Sequence, residues 1–464
     1  MEGTDLQKFN EIVTELLEIE KREPVADPIP AEELFTKMDL TLNDEALDDS
    51  SFYNNLKDLV FKTPRTATTQ FFNQLFGGRR SKAVLGDLIA VLLNNSMYTY
   101  KVAGPMVGVE KAILRKICSM IGYGKNSDGT IAAGGSMSNF MAMVMARDAA
   151  QSSLTQEGVS KKMTLYTSEA SHYSIAKNAS LIGVGREQVR FIPADEHGIM
   201  ISAELDAQIE MDKKEGYLPF FVNITSGTTV LGAFDNITEA SKICKNHNLW
   251  LHVDGAYCGA AILSNNYKRL LTGLELSDSF SVNAHKMLGT PLTCSIIVVN
   301  DKKYLNHSFS NDATYLYQTD GDDFNLGKTS FQCGRRNDAL KFWTLWKSIG
   351  SNGLEKLVDH QFHLAEVSRN YIRNNSDYQL YSYDDSISVC FNYKGIDPKK
   401  LCTALYEKAE LMVGFGSFHG EEFVRFVTIN SDNTEEDIIN FFQTMEHFVE
   451  EHAATLLDSE TVNG

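Results

Sequence analysis

The 464-residue chain is short of basic residues, with 43 Lys and Arg against 61 Asp and Glu and a formal charge of −18. That shortage argues against a protein that tracks a nucleic-acid backbone, because every phosphate contact needs a local cation. It leaves room for cationic pockets inside an acidic surface. No apolar run approaches the roughly 20 residues that span a bilayer. The start, Met1-Glu2-Gly3-Thr4-Asp5, lacks the basic flank and apolar core of a secretion signal. Seven cysteines between Cys118 and Cys402 form no CxxC pair and no cluster with histidine at zinc spacing. They read as reduced thiols, so neither a disulfide framework nor a metal site is expected. Internal repeats and low-complexity tracts are absent, and only the last ten residues read as disordered. The remaining expectation is a large cytoplasmic enzyme with no membrane and no nucleic-acid partner.

What is present divides into three textures. Residues 4–22 place Leu6, Phe9, Ile12, Val13, Leu16, Leu17 and Ile19 at helical spacing. Pro24, Pro28 and Pro30 then break the helix before Ala31-Glu32-Glu33-Leu34 starts another. This proline-hinged arm, residues 1–75, can pack on its own domain or reach over a partner. Across 76–340, short β-branched runs alternate with amphipathic helices. Leu165–Thr167, Val189–Ile192, Phe220–Ile224, Leu249–Val253, Ser279–Asn283 and Cys294–Val299 read as strands, which implies an α/β layer on a mostly parallel sheet. Residues 341–464 read as a smaller α+β domain. A long helix from Asn337 continues past Gly350, then come strands at Ser386–Tyr393, Met412–Gly416 and Phe423–Ile429 and a final helix from about Glu435.

Four segments carry candidate chemistry. Ser281-Val282-Asn283-Ala284-His285-Lys286 puts a lysine just after an apolar strand, where lost solvation favours a nucleophilic amine suited to Schiff-base formation. The plainer reading is a strand-end lysine in solvent. Upstream, His252-Val253-Asp254-Gly255-Ala256 sets a carboxylate at the end of another apolar run, the edge where open parallel sheets bind ligands. There it can hold a protonated pyridine nitrogen, or simply cap a helix. Ala133-Gly134-Gly135-Ser136-Met137-Ser138-Asn139 before a helix makes an anion site suited to a phosphate, without matching the Lys-Ser/Thr phosphate loop or GxGxxG. Finally, His172 opens a helix just after a strand, where it can stack on a flat cofactor.

In this order the glycine-serine turn, His172, Asp254 and Lys286 resemble the group II pyridoxal-phosphate-dependent amino-acid decarboxylases. The acidic branch, acting on glutamate, aspartate or cysteine sulfinate, is the nearest match. Phe71-Phe72-Asn73-Gln74-Leu75, Tyr98-Thr99-Tyr100, Thr228 to Asp235, Gln332-Cys333-Gly334-Arg335 and Lys341-Phe342-Trp343 look like that branch too, over roughly residues 65–430. The resemblance implies the type I (aspartate-aminotransferase-like) fold, pyridoxal 5'-phosphate as cofactor and a homodimer. It implies that Lys286 forms the Schiff base, Asp254 pairs with the pyridine nitrogen and His172 stacks on the ring. Ser136 and Ser138 would hold the phosphate, with His285 and Asn283 near it, and Ala256 would also contact the cofactor. Either Thr225 or Thr228 lies by the ring substituents. Arg425 would hold a substrate carboxylate, and Gln74 would line the substrate pocket.

Some positions depart from the family. Its His-Pro is replaced by Thr68-Thr69-Gln70, its Asn-Pro-His-Lys by Asn283-Ala284-His285-Lys286, and its Asp-Ala-Ala by Asp254-Gly255-Ala256. Phe76 stands where glutamate-specific relatives tend to carry a serine, and Arg79 or Arg80 can supply charge for a distal carboxylate. The resulting expectation is aspartate to β-alanine first, then cysteine sulfinate to hypotaurine, then glutamate to GABA. An aromatic amino-acid decarboxylase and a weakly active regulatory relative are the alternatives. The resemblance also implies a tyrosine that reprotonates Cα, on a loop here spanning Thr319 to Phe331. That stretch has no tyrosine, and Phe324 is nearest by position. His172, Tyr315 and Tyr317 are the substitute donors considered, and leakage to an aldehyde is the expected cost of losing the tyrosine.

Overall fold

The alternation of β-branched runs with helical stretches becomes a layered α/β arrangement in the computed structural model, which describes residues 3–310 and 322–457. Tyr315, Tyr317 and the acidic tail after residue 457 lie outside the described residues. In chain order the strands are β1 (Phe71–Phe72), β2 (Asp128–Ala132), β3 (Met163–Ser168), β4 (Val189–Ile192), β5 (Leu218–Thr225) and β6 (Trp250–Gly255). There follow β7 (Ser279–Asn283), β8 (Ser295–Val299), β9 (Tyr378–Leu380), β10 (Ser388–Tyr393), β11 (Met412–Phe418) and β12 (Glu421–Val427).

Contacts divide the chain into two units, one of residues 79–363 with 382–388, the other of 1–78, 364–381 and 389–464. In the first, seven strands form a sheet ordered β2-β8-β7-β6-β5-β3-β4. Pairing is parallel from β4 through β3, β5 and β6 to β7, then antiparallel at β7–β8 and β8–β2. β3, β6, β7 and β8 are buried along their whole length, as expected of strands covered on both faces. This is the type I fold expected from the resemblance, with its mostly parallel central sheet.

The second unit carries a five-stranded sheet ordered β1-β11-β12-β10-β9. Its core packs Phe72, Phe391 and Phe426 against Phe441 and Phe442 of the helix Glu435–Glu451. The amino-terminal helix forms over Gly3–Arg22, yet only Ile12 on it is buried. It lies against the helix Asp49–Lys62, where Tyr53 donates to Asp5 at 2.6 Å and Lys57 pairs with Glu15. The long helical stretch Ala339–Arg373 breaks at Gly350, whose φ of 67° lies in the left-handed region that favours glycine. Among the described residues no helix is long and apolar enough to cross a membrane.

Candidate active site

Parallel pairing puts the carboxyl ends of β3, β5, β6 and β7 on one edge of the large sheet. β2 ends on that edge too, since it is antiparallel to β8 and β8 is antiparallel to β7. The segment after each of these strands therefore converges on one place, the edge where such sheets bind ligands. A cavity of about 200 Å³ opens there, lined by Gly135, Ser136, Asn139, His172, Tyr173, Thr225, Gly227, Thr229, Asp254, Ala256, Tyr257, Asn283, His285 and Lys286.

Asp254 is fixed from several sides. Asn139 Nδ2 donates to its Oδ2 at 2.7 Å, the Ala256 N–H donates to Oδ1 at 3.0 Å, and Ser281 Oγ approaches Oδ1 at 3.4 Å. A carboxylate accepts about four hydrogen bonds, so one position remains for a donor in the cavity. His172 Nδ1 accepts from the backbone N–H of Ser174 at 3.2 Å, so that nitrogen carries no proton. Burial lowers the pKa of His172, and Lys286 lowers it further while Asp254 opposes. The ring is therefore neutral, with its proton on Nε2. His285 is likewise held neutral: Cys294 N–H donates to its Nδ1 at 2.9 Å, and burial pushes its pKa down to about 4. Lys286 Nζ lies 6.0 Å from the centre of the Tyr257 ring.

Anion-binding features are built beside these groups. The helix Gly135–Ala150 starts at the cavity after Gly134, whose φ is 106°. Its first-turn N–H groups and dipole favour a phosphate. A Cβ on Gly135 would sit 3.0 Å from Asn283 Nδ2 and 3.1 Å from Ala256 Cβ, so glycine keeps this corner open. Ser136 lines the cavity, whereas the Ser138 hydroxyl is fully buried against Ser295 Oγ at 2.8 Å. Ser295 in turn donates to Asn283.

Of the two threonines left open by the sequence, Thr225 lines the cavity. Thr228 instead accepts from Ala233 N–H at 2.9 Å and closes a turn. The Thr225 hydroxyl is buried without a hydrogen-bond partner among the described residues. An orphaned hydroxyl, an open acceptor position on Asp254, a lysine and a helix amino terminus on one cavity suit a flat, phosphorylated pyridine. These residues fit pyridoxal phosphate.

Gln74, Phe76 and Arg425 belong to the second unit. Arg425, on β12, is registered with Gly414 on β11, and its Nη2 donates to the Asn73 carbonyl at 2.7 Å. Gln74 is the next residue and is exposed. Phe76 is half-buried, packed against a cluster of Val25, Ala26 and Phe71. Phe324, on the turn Asp322–Phe324, is exposed and meets Tyr100 edge-on at 5.9 Å.

Sequence reasoning did not single out Asn139, Tyr173, Thr229 or Tyr257. Asn139 and Thr229 belong to segments already flagged and Tyr257 directly follows one, where the available signal was position after a strand end.

The conserved pyridoxal-dependent decarboxylase domain matches residues 31–394. The acidic amino acid decarboxylase GADL1 of Mus musculus is 36% identical over 442 residues, which is 90% of this chain and 80% of the relative. The cysteine sulfinic acid decarboxylase of Homo sapiens is 37% identical over 366 residues, 78% of this chain and 74% of the relative. The crystal structure of mouse CSAD in apo form superposes with a TM-score of 0.91 at 32% identity, covering 95% of this chain and 97% of that one.

Proposed function

The chain belongs to the pyridoxal-dependent decarboxylase family, and from that premise we propose that it removes the α-carboxylate of an acidic amino acid, L-aspartate before cysteine sulfinate and glutamate. It is a pyridoxal-phosphate-dependent carboxy-lyase. Bound pyridoxal phosphate supplies an electron-poor ring that takes up the electron pair left when the Cα–carboxylate bond breaks. The observation that carries the reading is the cavity at the sheet edge, where Asp254, His172, Thr225 and Lys286 meet the amino terminus of the helix Gly135–Ala150.

Each group has a role that its chemistry permits. The Lys286 amine is the nucleophile that would hold the cofactor through its aldehyde carbon. Asp254 would hold a protonated ring nitrogen through its remaining acceptor position, and neutral His172 would cover the ring face. Ser136, Asn283 and His285, with the helix amino terminus, hold the phosphate. Ser138 supports that corner through Ser295 and Asn283. Arg425 offers a planar fork to a substrate carboxylate, and fixing that carboxylate selects the bond that breaks. His172, with its proton on Nε2, is one donor on the cavity wall that can return a proton to Cα.

Substrate order rests on Phe76 and Arg80. A ring in place of a hydroxyl shortens the space for a distal chain, and one methylene is worth about 1–3 kcal/mol in such a site. Arg80 donates its backbone N–H to the Gly289 carbonyl, and its side chain runs beside Gly289, three residues beyond Lys286. Of the two arginines considered, Arg80 is thus tied to the segment that bears the attachment lysine.

A homodimer is supported by the helix Ser81–Leu93, which exposes Leu85, Leu88, Ile89, Val91, Leu92 and Leu93 together. A cytoplasmic location is supported by seven cysteines that form no disulfide among the described residues, six of them buried. The test is carbon dioxide release from aspartate, cysteine sulfinate, glutamate and an aromatic amino acid. A larger kcat/KM for glutamate than for aspartate refutes the order, and release from the aromatic substrate alone refutes the acidic class.

A further inference from the structure

Behind Asp254 runs a continuous line of buried polar side chains. Asn139 Nδ2 donates to Asp254 Oδ2 at 2.7 Å and to Ser174 Oγ at 3.1 Å. His252 Nε2 faces Asn139 Oδ1 at 3.1 Å. Ser279 Oγ lies 2.8 Å from His252 Nδ1 and accepts from Trp250 Nε1–H at 2.9 Å. Ser174 Oγ lies 2.8 Å from His172 Nδ1. Asn139 is 1% exposed, and His252, Ser279 and Ser174 are fully buried, so water cannot substitute for any link.

The direction of every proton follows from the two ends. A carboxylate only accepts, so the amide nitrogen of Asn139 must face Asp254 and its oxygen must face His252. That oxygen only accepts, so His252 carries its proton on Nε2. Burial pushes the pKa of His252 down to about 4, leaving Nδ1 bare to accept from the Ser279 hydroxyl. The Ser279 oxygen then accepts from Trp250, whose indole can only donate. On the other branch Ser174 accepts from Asn139 and passes its own hydrogen to His172 Nδ1, which also accepts from the Ser174 N–H.

Resting on the functional reading above, we propose that this one-way hydrogen-bond line from Trp250 through Ser279, His252 and Asn139 fixes Asp254 and His172 for the cofactor ring. His252 and Asn139 are thus positioning residues. Flipping the Asn139 amide would turn its oxygen toward the Asp254 carboxylate and its nitrogen toward a protonated ring nitrogen of His252. Two contacts would become repulsive, so the line has one setting. It prepares both ring-facing groups before the cofactor arrives, and no reorganisation is needed on binding.

The test compares His252→Leu with His252→Gln in the full-length protein. Leucine leaves the Asn139 oxygen unpaired and releases the amide. Glutamine offers an N–H toward Asn139 and an oxygen toward Ser279. The expected result is a dissociation constant for pyridoxal phosphate raised roughly tenfold or more by leucine and held within about threefold of wild type by glutamine. A merely structural role would not separate them at equal thermal stability. Nitrogen-15 spectra of side-chain-labelled histidines, assigned with His252→Gln, read the tautomers in the wild-type protein. Protons on Nε2 of both His252 and His172 support the line, and a proton on Nδ1 of either overturns it. Equal cofactor affinity in the two variants also overturns it. A wild-type protein that binds no pyridoxal phosphate would refute the functional reading, while the tautomers would still decide the line.

Discussion

Thr225 and Asp254 stand side by side in register at the ends of adjacent parallel strands β5 and β6. One sheet edge therefore presents a buried hydroxyl without a partner among the described residues, next to a carboxylate held by Asn139 and Ala256. An unsatisfied buried hydroxyl costs stability unless a ligand completes it.

Thr225→Val keeps the shape and removes that hydroxyl. The cofactor-free protein is expected to melt at the same temperature or slightly higher, while pyridoxal phosphate binds roughly tenfold more weakly. Calorimetry and equilibrium dialysis measure the two effects. A clear loss of thermal stability without weaker binding would assign the hydroxyl to the fold.

Asp254→Asn is expected to lower kcat for carbon dioxide release by about 100-fold or more, since a neutral amide cannot hold a positive ring nitrogen. The amide oxygen can still accept from Ala256 N–H, so the circular dichroism spectrum should not change. Near-normal turnover would reduce Asp254 to a structural cap.

Much of this was legible in the sequence. Val189–Ile192 and Ser279–Asn283 form strands with the limits their β-branched runs suggest. The glycine-serine turn, His172, Asp254 and Lys286 line one cavity because each lies at or just after the end of a strand. β2 was not legible: Asp128-Gly129-Thr130-Ile131-Ala132 has weak strand propensity, and pairing with β8 makes it a strand. Asn139 was hidden because a polar residue within a helical pattern reads as surface, whereas here it is buried. The choice between Thr225 and Thr228 needed the turn that Thr228 closes, a contact set by three-dimensional placement.

Stability should fall toward acid. His285 has a pKa of about 4 in the folded chain against 6.5 as its ordinary value, so above pH 6.5 it is neutral in both states and contributes nothing. Between those values the unfolded chain holds a proton that the folded chain lacks, and stability falls as pH falls, by roughly 3 kcal/mol for this group. His252, also lowered to about 4, acts in the same sense. Asp235, raised by burial to about 6, acts oppositely, keeping in the folded chain a proton that the unfolded chain has lost. His172, lowered by burial, joins these two histidines, and Asp278, raised by burial, joins Asp235. Three histidines outweigh two carboxyls, so the melting temperature of the cofactor-free protein should drop between about pH 7 and about pH 5. His285→Gln should flatten that drop, and an unchanged slope would count against a neutral, buried His285.

Substrate choice gives a fourth prediction. Phe76→Ser should raise the glutamate-to-aspartate ratio of kcat/KM by about tenfold, as expected for one methylene of added room. Arg425→Lys should lower kcat/KM for every acidic substrate by about 100-fold, because an ammonium cannot reproduce the guanidinium fork. Steady-state kinetics on both variants measures these changes. A Phe76→Ser enzyme with an unaltered ratio would place the length filter elsewhere.

The central claim is that Lys286 carries the cofactor, and reductive trapping tests it most directly. The purified protein, saturated with pyridoxal phosphate, is reduced with borohydride, digested and mapped by mass spectrometry. The account predicts a phosphopyridoxyl group on Lys286 in the peptide containing Asn283-Ala284-His285-Lys286, and its loss in Lys286→Ala. A stoichiometric label on a different lysine, or full decarboxylase activity in Lys286→Ala, would contradict it.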